Sequence, residues 1–441
     1  MSRVGVAELI CAGILAFFAM QGAIPGIAPN QANEMTNTAA TGLMKVAGIG
    51  SQILVDGTIL VLVLHQWRRF YRLAFTLQWT AAISALALLS ILWSQDAVMT
   101  ARRAVPFALA TLFGLYFAAR YPVRKQLSIF CATMLFAALG SAVLAIFFPA
   151  IGLEASTGHF GNWQGVFTQK NACGRAMVFA TAAVLACGRL NLYRLVCLLA
   201  FLFVLIMSGT RGAWVIEGAL LLCYMLTRII GQSTPSFRAV LIYLVVALAV
   251  MAVVAIWMYF PLLAALLGRD ATLTGRTAIW QQVWQAIVKH PLLGYGYAAF
   301  WRGMKGESYN VILALKFVIF HAHNGFLEIW LELGAAGVLL FVLSYARAWR
   351  KLWPLLLHRR MADCSWMIFV LVLVVLYDLD ENTLLTFNGL FWVVYVAVVA
   401  NIEILSVEHK AQHLLRMAPG NEMEQISRRR QASALAASRG I

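Results

Sequence analysis

The chain has 441 residues, of which 62% are hydrophobic and 12% are charged. Soluble domains carry about 45–50% apolar and about 25% charged residues, so a water-soluble fold of this size could not bury the excess. A soluble enzyme, a nucleic-acid-binding domain and a disordered protein are therefore excluded, and lipid is the expected solvent. The net charge of +16 then indicates basic loops that hold a membrane topology, with no nucleic acid as partner.

Apolar runs long enough to suggest membrane-spanning helices recur about twelve times. They lie near residues 5–26, 48–64, 74–93, 104–119, 127–149, 175–187, 191–208, 213–230, 239–260, 324–346, 365–379 and 386–405. We therefore predict an all-α integral membrane protein, with a polytopic domain at 1–406 and a basic cytoplasmic tail at 407–441. Seven scattered cysteines show no CxxC pair, so neither a disulfide framework nor a metal knot is expected.

The distribution of basic residues orients these runs. With the N-terminus inside, the inside loops and both termini hold 22 of the 34 lysines and arginines, as the positive-inside rule requires. The two longest outside connections are then 150–174 and 261–323. Long loops tend to carry function, and the basic residues that remain outside need another explanation, such as holding an anion.

A polar triplet, Gln169, Lys170 and Asn171, stands at the mouth of one predicted span. Lys170 is a compact cation suited to phosphate oxygens, although a lysine that snorkels to the interface is the competing interpretation. Gly174 and Ala176 follow, and such small residues allow a helix to begin against a close neighbour.

Arg211 lies in a short glycine-flanked segment between two long apolar runs. Ser208 and Thr210 beside it are expected to cap the following helix. The planar guanidinium suits a pair of phosphate oxygens. Because an arginine near hydrocarbon costs about 2.5–3.5 kcal/mol even on a lenient insertion scale, an ion pair with Glu217 or Asp378 is the alternative.

An amphipathic helix is predicted within the longer outside connection. From Thr277 onwards apolar residues recur at helical spacing until Pro291, which is typical of a helix lying on the outer leaflet. Thr274 is the expected N-cap, and Arg276 sits in the first turn. A cation there opposes the helix dipole unless an anion also binds; a surface arginine meeting lipid headgroups is the alternative.

Two histidines, His321 and His323, directly precede a span that contains Glu328 and Glu332. Histidine is the natural base near neutral pH. The pair could instead chelate a metal, but two histidines without a fixed third ligand are a weak metal signal. We therefore predict neither a metal nor a cofactor.

The ordered motifs GVF-x-QKN-xx-G, SGTRGAW, TGR-xxx-W, HPLLGYGY and HNGFLEIWLELG resemble those of the O-antigen ligase and polymerase superfamily. The resemblance is sharpest between residues 165 and 337, and hydropathy agrees along the whole chain. Residues 92–122 resemble the exopolysaccharide-polymerase branch. The resemblance implies a fold like that of the class C glycosyltransferases, in the bacterial inner membrane with both termini cytoplasmic.

The same resemblance implies the chemistry. The donor would be a glycan on undecaprenyl diphosphate, and the acceptor a sugar hydroxyl of lipid A–core or of a lipid-linked glycan, with membrane lipids around both. Transfer would be inverting and metal-independent at the periplasmic face. Arg211 and Arg276 map onto diphosphate binders and His323 onto the base, while His321 leaves the choice of base open. The expected substrate-binding residues are Gln169, Lys170, Asn171, His321 and Asn324.

Two other classes of function compete with this interpretation. A transporter or flippase for lipid-linked glycans would also use cations and many spans, but its charges should continue to mid-membrane. A non-catalytic scaffold would not need Arg211, Arg276 and His323 together.

Overall fold

The computed structural model describes residues 5–24, 42–67, 76–154, 161–188, 191–248, 251, 276–358 and 361–417. Its regular elements there are helices, apart from an isolated bridge between Leu153 and Trp163. The main helices are α1 (Val6–Ala19), α2 (Gly42–His65), α3 (Gln78–Leu89), α4 (Ala97–Arg120), α5 (Val123–Phe147), α6 (Lys170–Ala186), α7 (Leu192–Met207), α8 (Arg211–Gly231), α9 (Pro235–Leu248), α10 (Arg276–Lys289), α11 (Gly306–Leu315), α12 (Gly325–His358), α13 (Met361–Asp380) and α14 (Leu390–Met417).

Seven helices within the described ranges are long and apolar enough to cross a membrane, namely α2, α4, α5, α8, α12, α13 and α14. Four more are apolar but shorter, namely α1, α3 with its 3₁₀ turn, α7 and α9. The all-helical membrane class is thus confirmed. Each predicted apolar run contains helix, but the number of twelve spans stays a prediction.

Helix α6 lies at the centre of the bundle. Every residue from Ala172 to Leu185 is buried, and α6 packs against α5, α7, α8 and α13. A helix that is apolar all round is stable when neighbours enclose it. The position of α6 matters because its first turn carries the predicted Lys170 and Asn171.

Helix α12 is broken at Gly334, whose backbone (φ 64°, ψ −167°) is not helical. The loop after α10 inserts into this break: Ala335 N donates to Pro291 O at 2.8 Å. A Cβ on Gly334 would lie 2.2 Å from the carbonyl of Leu292, so only glycine fits. The break therefore ties the region of α10 to the membrane bundle.

A second, smaller hydrophobic core forms around α10. Its residues Ile279, Val283, Ala286 and Ile287 are buried in a cluster with aromatic side chains of the following loop. The prediction of a helix is confirmed. We expected its most apolar face to meet lipid. That face packs against protein instead, because the loop up to α11 folds back over it.

The loops predicted to lie inside meet at the end of the bundle opposite to this second core. Arg124 pairs with Asp363 at 3.6 Å, and Arg238 donates to the carbonyl of Leu356 at 2.9 Å. These basic loops thus lie at the same end of the bundle, as the charge pattern predicts. Which end faces the cytoplasm stays a prediction.

Several predicted features lie outside the described residues. These are the N-cap Thr274 with its neighbours in 252–275, part of the loop 150–174, and the tail from 418 onwards. Helix α14 itself continues to Met417, so no break in helix marks the predicted domain boundary at 407.

Candidate active site

Helices α6 and α8 begin side by side. The Thr210 hydroxyl donates to the carbonyl of Lys170 at 3.1 Å, and a Cβ on Gly174 would lie 3.0 Å from Thr210 Cβ. The predicted caps are therefore wrong: Thr210 makes no side-chain cap, and Ser208 Oγ donates to the carbonyl of Leu205. The Thr210 hydroxyl is used to join the two helix starts instead.

This junction places the cations of Lys170 and Arg211 near each other. Within the described residues neither makes an ion pair, and Arg211 is exposed. The alternative partners face elsewhere: Glu217 is buried with no hydrogen bond, and Asp378 accepts from the backbone of the loop after α13. Burial lowers the pKa of Lys170; Glu154 opposes this shift, and the charge of Arg211 adds to it.

Arg276, the first residue of α10, reaches the same place. Its guanidinium lies 2.6 Å from Asp380 Oδ1 at the end of α13. The other oxygen of Asp380 adjoins the first turn of α8, since a Cβ on Gly212 would lie 2.8 Å from it. One carboxylate therefore connects the helix start that carries Arg211 with the helix that carries Arg276.

Glu381, the residue after Asp380, lies next to both histidines. Its buried carboxylate accepts from His321 Nε2 at 3.1 Å and from Asn171 Nδ2 at 3.3 Å. His323 Nδ1 lies 3.5 Å from it and Arg175 Nη1 lies 3.8 Å from it. Burial alone raises the pKa of Glu381, but the two histidines and Arg175 outweigh burial and hold the pKa well below its usual range.

The loop that bears both histidines is held through the backbone of Ala322, the residue between them. Ala322 N donates to Glu328 Oε2 at 2.8 Å, and Ala322 O accepts from Trp280 Nε1 on α10 at 3.1 Å. The second oxygen of Glu328 accepts from Trp301 Nε1 at 2.6 Å. His323 itself has φ +50°, a strained conformation that surrounding contacts must impose.

Two further predicted residues lie at helix starts. Asn324 Oδ1 accepts from Leu327 N at 3.0 Å, so it caps the start of α12. Gln169 occupies the N-cap position of α6 without a side-chain cap. Their expected contacts with substrate stay predictions. The structure brings together six of the predicted residues: Lys170, Asn171, Arg211, Arg276, His321 and His323.

The sequence reasoning missed three charged residues at the centre of this site, namely Arg175, Asp380 and Glu381. A signal for two of them exists in the segment DLDEN at residues 378–382, where acids directly follow an apolar run. Acidic residues at such a position are rare and usually functional. Of these acids only Asp378 was considered, as an alternative partner of Arg211, and Arg175 was given no role.

The structure also supplies the third potential metal ligand that the sequence lacked. Ligand atoms of His321, His323 and Glu381 lie within 4.8 Å of one another, and two histidines with one glutamate form a known zinc set. The guanidinium of Arg175 is 3.8 Å from the same carboxylate, and its fixed positive charge opposes a divalent cation. The described contacts of these residues with Glu381 are a hydrogen bond and charge pairs.

The fold and the site define a multi-pass helical membrane protein with a cationic, histidine-containing site at one end of its bundle. Residues 195–342 match a protein-family model described as O-Antigen ligase. The chain is also 26% identical over 395 residues to Exopolysaccharide production protein ExoQ of Rhizobium meliloti (strain 1021), covering 86% of this chain and 84% of that protein. Both matches support the O-antigen ligase and polymerase superfamily that the motifs resemble.

Proposed function

We propose that this protein is a membrane glycosyltransferase of bacterial polysaccharide assembly, which transfers a glycan from undecaprenyl diphosphate to a sugar hydroxyl. One observation carries the proposal: Lys170, Arg211 and Arg276 meet the two histidines around adjacent carboxylates at one end of the bundle. The loop charges favour the periplasmic face of the inner membrane for this end.

The cations would hold the donor diphosphate. Arg211 and Arg276 present planar donor forks that match phosphate oxygens, and Lys170 adds a compact charge. When the glycosyl bond breaks, the diphosphate leaves with the bonding electrons and an added negative charge. Preorganised donors aimed at that charge lower the barrier.

A histidine would activate the acceptor. Its neutral ring takes the proton of the attacking sugar hydroxyl, whose oxygen forms the new bond at the anomeric carbon while the bond to the diphosphate breaks. Direct displacement of this kind inverts the anomeric carbon. Every charge is handled by side chains of this chain, so no metal is needed for the step.

The acceptor is best assigned to a second lipid-linked glycan, which makes the protein a polymerase. The similar protein of Rhizobium meliloti is named for exopolysaccharide production, and residues 92–122 resemble that branch. Ligation of O-antigen to lipid A–core uses the same donor and is the alternative acceptor choice.

The test is transfer by purified protein in detergent with EDTA present. A glycan on undecaprenyl diphosphate is offered with lipid A–core or with itself as acceptor. We expect transfer by the wild type and loss in Arg211→Ala, Arg276→Ala and His323→Ala. Arg350→Ala, which removes an exposed arginine on the opposite end, is the control and should stay active. If the folded wild type transfers to neither acceptor but moves the donor across vesicles, the protein is a transporter.

A further inference from the structure

The two histidines differ in how they contact Glu381. His321 donates through Nε2 at 3.1 Å. Burial lowers the pKa of His321, but the hydrogen bond and the charge of Glu381 outweigh burial and raise it above its usual value. His321 is thus held as a proton-carrying donor. The raised pKa favours the imidazolium form of His321, in which both ring nitrogens carry a proton and neither can accept one from a substrate.

His323 has the opposite arrangement. Its Nδ1 is buried, makes no hydrogen bond and lies 3.5 Å from Glu381 Oε1. The side chains of both histidines are 30% exposed; because Nδ1 of His323 is buried, the exposed part of this side chain lies away from Nδ1, and we infer that Nε2 faces it. A small movement would complete the contact of Nδ1–H with the carboxylate, and such contacts often tighten only when substrate binds.

We propose that Glu381 is a positioning residue that orients His323 as the acceptor base, with Nδ1–H towards the carboxylate and Nε2 towards the sugar hydroxyl. This inference rests on the proposed glycosyl transfer. The hydroxyl proton moves to Nε2, the oxygen attacks the anomeric carbon, and the diphosphate leaves with the bonding electrons. Glu381 keeps the productive tautomer and stabilises the imidazolium, as carboxylates that accept a hydrogen bond from a functional histidine do.

The surroundings of His323 support this division of roles. Charged or titratable groups face the two rings from each neighbouring element: Glu381 after α13, Arg175 on α6, Glu328 on α12 and His321 on the same loop. Asn171 binds the oxygen of Glu381 that faces His323. Arg175 lies nearer the oxygen that serves His321. The carboxylate therefore has one oxygen for each histidine.

The main test compares Glu381→Gln with the wild type in the transfer assay across pH. We expect kcat to fall on the order of 10²–10³-fold with little change in KM for the donor. The acidic limb of the pH profile should move to lower pH, because the imidazolium loses its counter-charge. Glu403→Gln is the matched control: Glu403 is equally buried and ion-paired with Arg347 and Lys351 at the opposite end. It should keep both kcat and the pH profile.

A second comparison does not depend on the folding of Glu381→Gln. His321→Gln keeps a donor for Glu381, so it should lower kcat less than His323→Gln does, because only the second variant removes the proposed base. The inference is overturned if His323→Gln stays active or if folded Glu381→Gln keeps the wild-type pH profile. It is also overturned if EDTA stops the wild type and zinc restores it. An inactive wild type overturns the proposed function as well, so the two failures are distinct.

Discussion

Asp380 occupies a position where an anion would be expected to bind. One of its oxygens accepts from Arg276 at 2.6 Å, and the other adjoins Gly212 in the first turn of α8. An arginine beside a helix N-terminus is a common phosphate site. The carboxylate therefore competes for the groups that would hold the donor diphosphate, and Asp380→Asn should bind that donor more tightly.

The size of this effect follows from the exposure of the ion pair. The side chains of Arg276 and Asp380 are 26% and 37% exposed, and partly solvated pairs are worth about 0.2–1 kcal/mol. In the wild type, the donor must break this ion pair to bind Arg276. Without the pair, the donor Kd of Asp380→Asn should be lower by up to about fivefold. The same substitution should lower the thermal stability of the free protein only slightly.

Binding of undecaprenyl diphosphate to the purified protein in detergent, measured by titration calorimetry, tests this. The control is Asp363→Asn, which removes a carboxylate from the exposed pair with Arg124 at the opposite end and should leave the Kd unchanged. If Asp380→Asn binds the donor more weakly than the wild type does, the reasoning is refuted. Asp380 would then serve to orient Arg276 for the phosphate.

Three further predictions concern the frame of the site. Gly334→Ala should lower the free energy of unfolding by about 2–3 kcal/mol or more. The backbone conformation of Gly334 is almost exclusive to glycine, and the carbonyl of the inserted loop leaves no room for a methyl group. The control is Gly218→Ala, in open space on α8, which should change thermal stability little. Glu328→Ala should leave the backbone N–H of Ala322, between the histidines, without its acceptor, which should lower the free energy of unfolding by about 1–3 kcal/mol. The loop should then show faster hydrogen exchange, and kcat should fall. Unchanged hydrogen exchange would count against this prediction. The pair of His321 and Glu381 should stabilise the fold most between about pH 4.5 and 6.5, the ordinary pKa values of the two groups. Its contribution is lost at higher pH as His321 passes its raised pKa and at lower pH as Glu381 passes its lowered pKa; a melting curve of His321→Gln with the same pH dependence as the wild type would contradict this.

The helices could be predicted from the sequence because their cause is local. A chain in lipid must satisfy its backbone internally, so apolar runs such as those at 104–119 and 365–379 form helices wherever they pack. The prediction of the cations at one end succeeded for a similar reason, since alternation of spans assigns each loop to a side. Helix count and span length were harder, because α6 is short and is enclosed by neighbours.

Local rules failed where a polar side chain had a distant partner. Ser208 and Thr210 fit the pattern of helix caps, yet Thr210 bonds to Lys170, forty residues earlier in the chain. The apolar face of α10 fits a lipid surface, yet the following loop covers it. In the first case a tertiary contact replaces a cap worth about 1 kcal/mol, and in the second case contact with protein replaces contact with lipid.

The sequence by itself determined the solvent of this protein, its helical class and the residue types available for holding a diphosphate. These follow from composition and from spacing within single segments. Only the tertiary structure decided which groups those residues meet: Asp380 reaches Arg276 across 104 positions, and Glu381 reaches Asn171 across 210. Pairing at such separations depends on how helices pack around α6. A buried carboxylate is stable only where packing brings donors to it, and no local pattern records that arrangement.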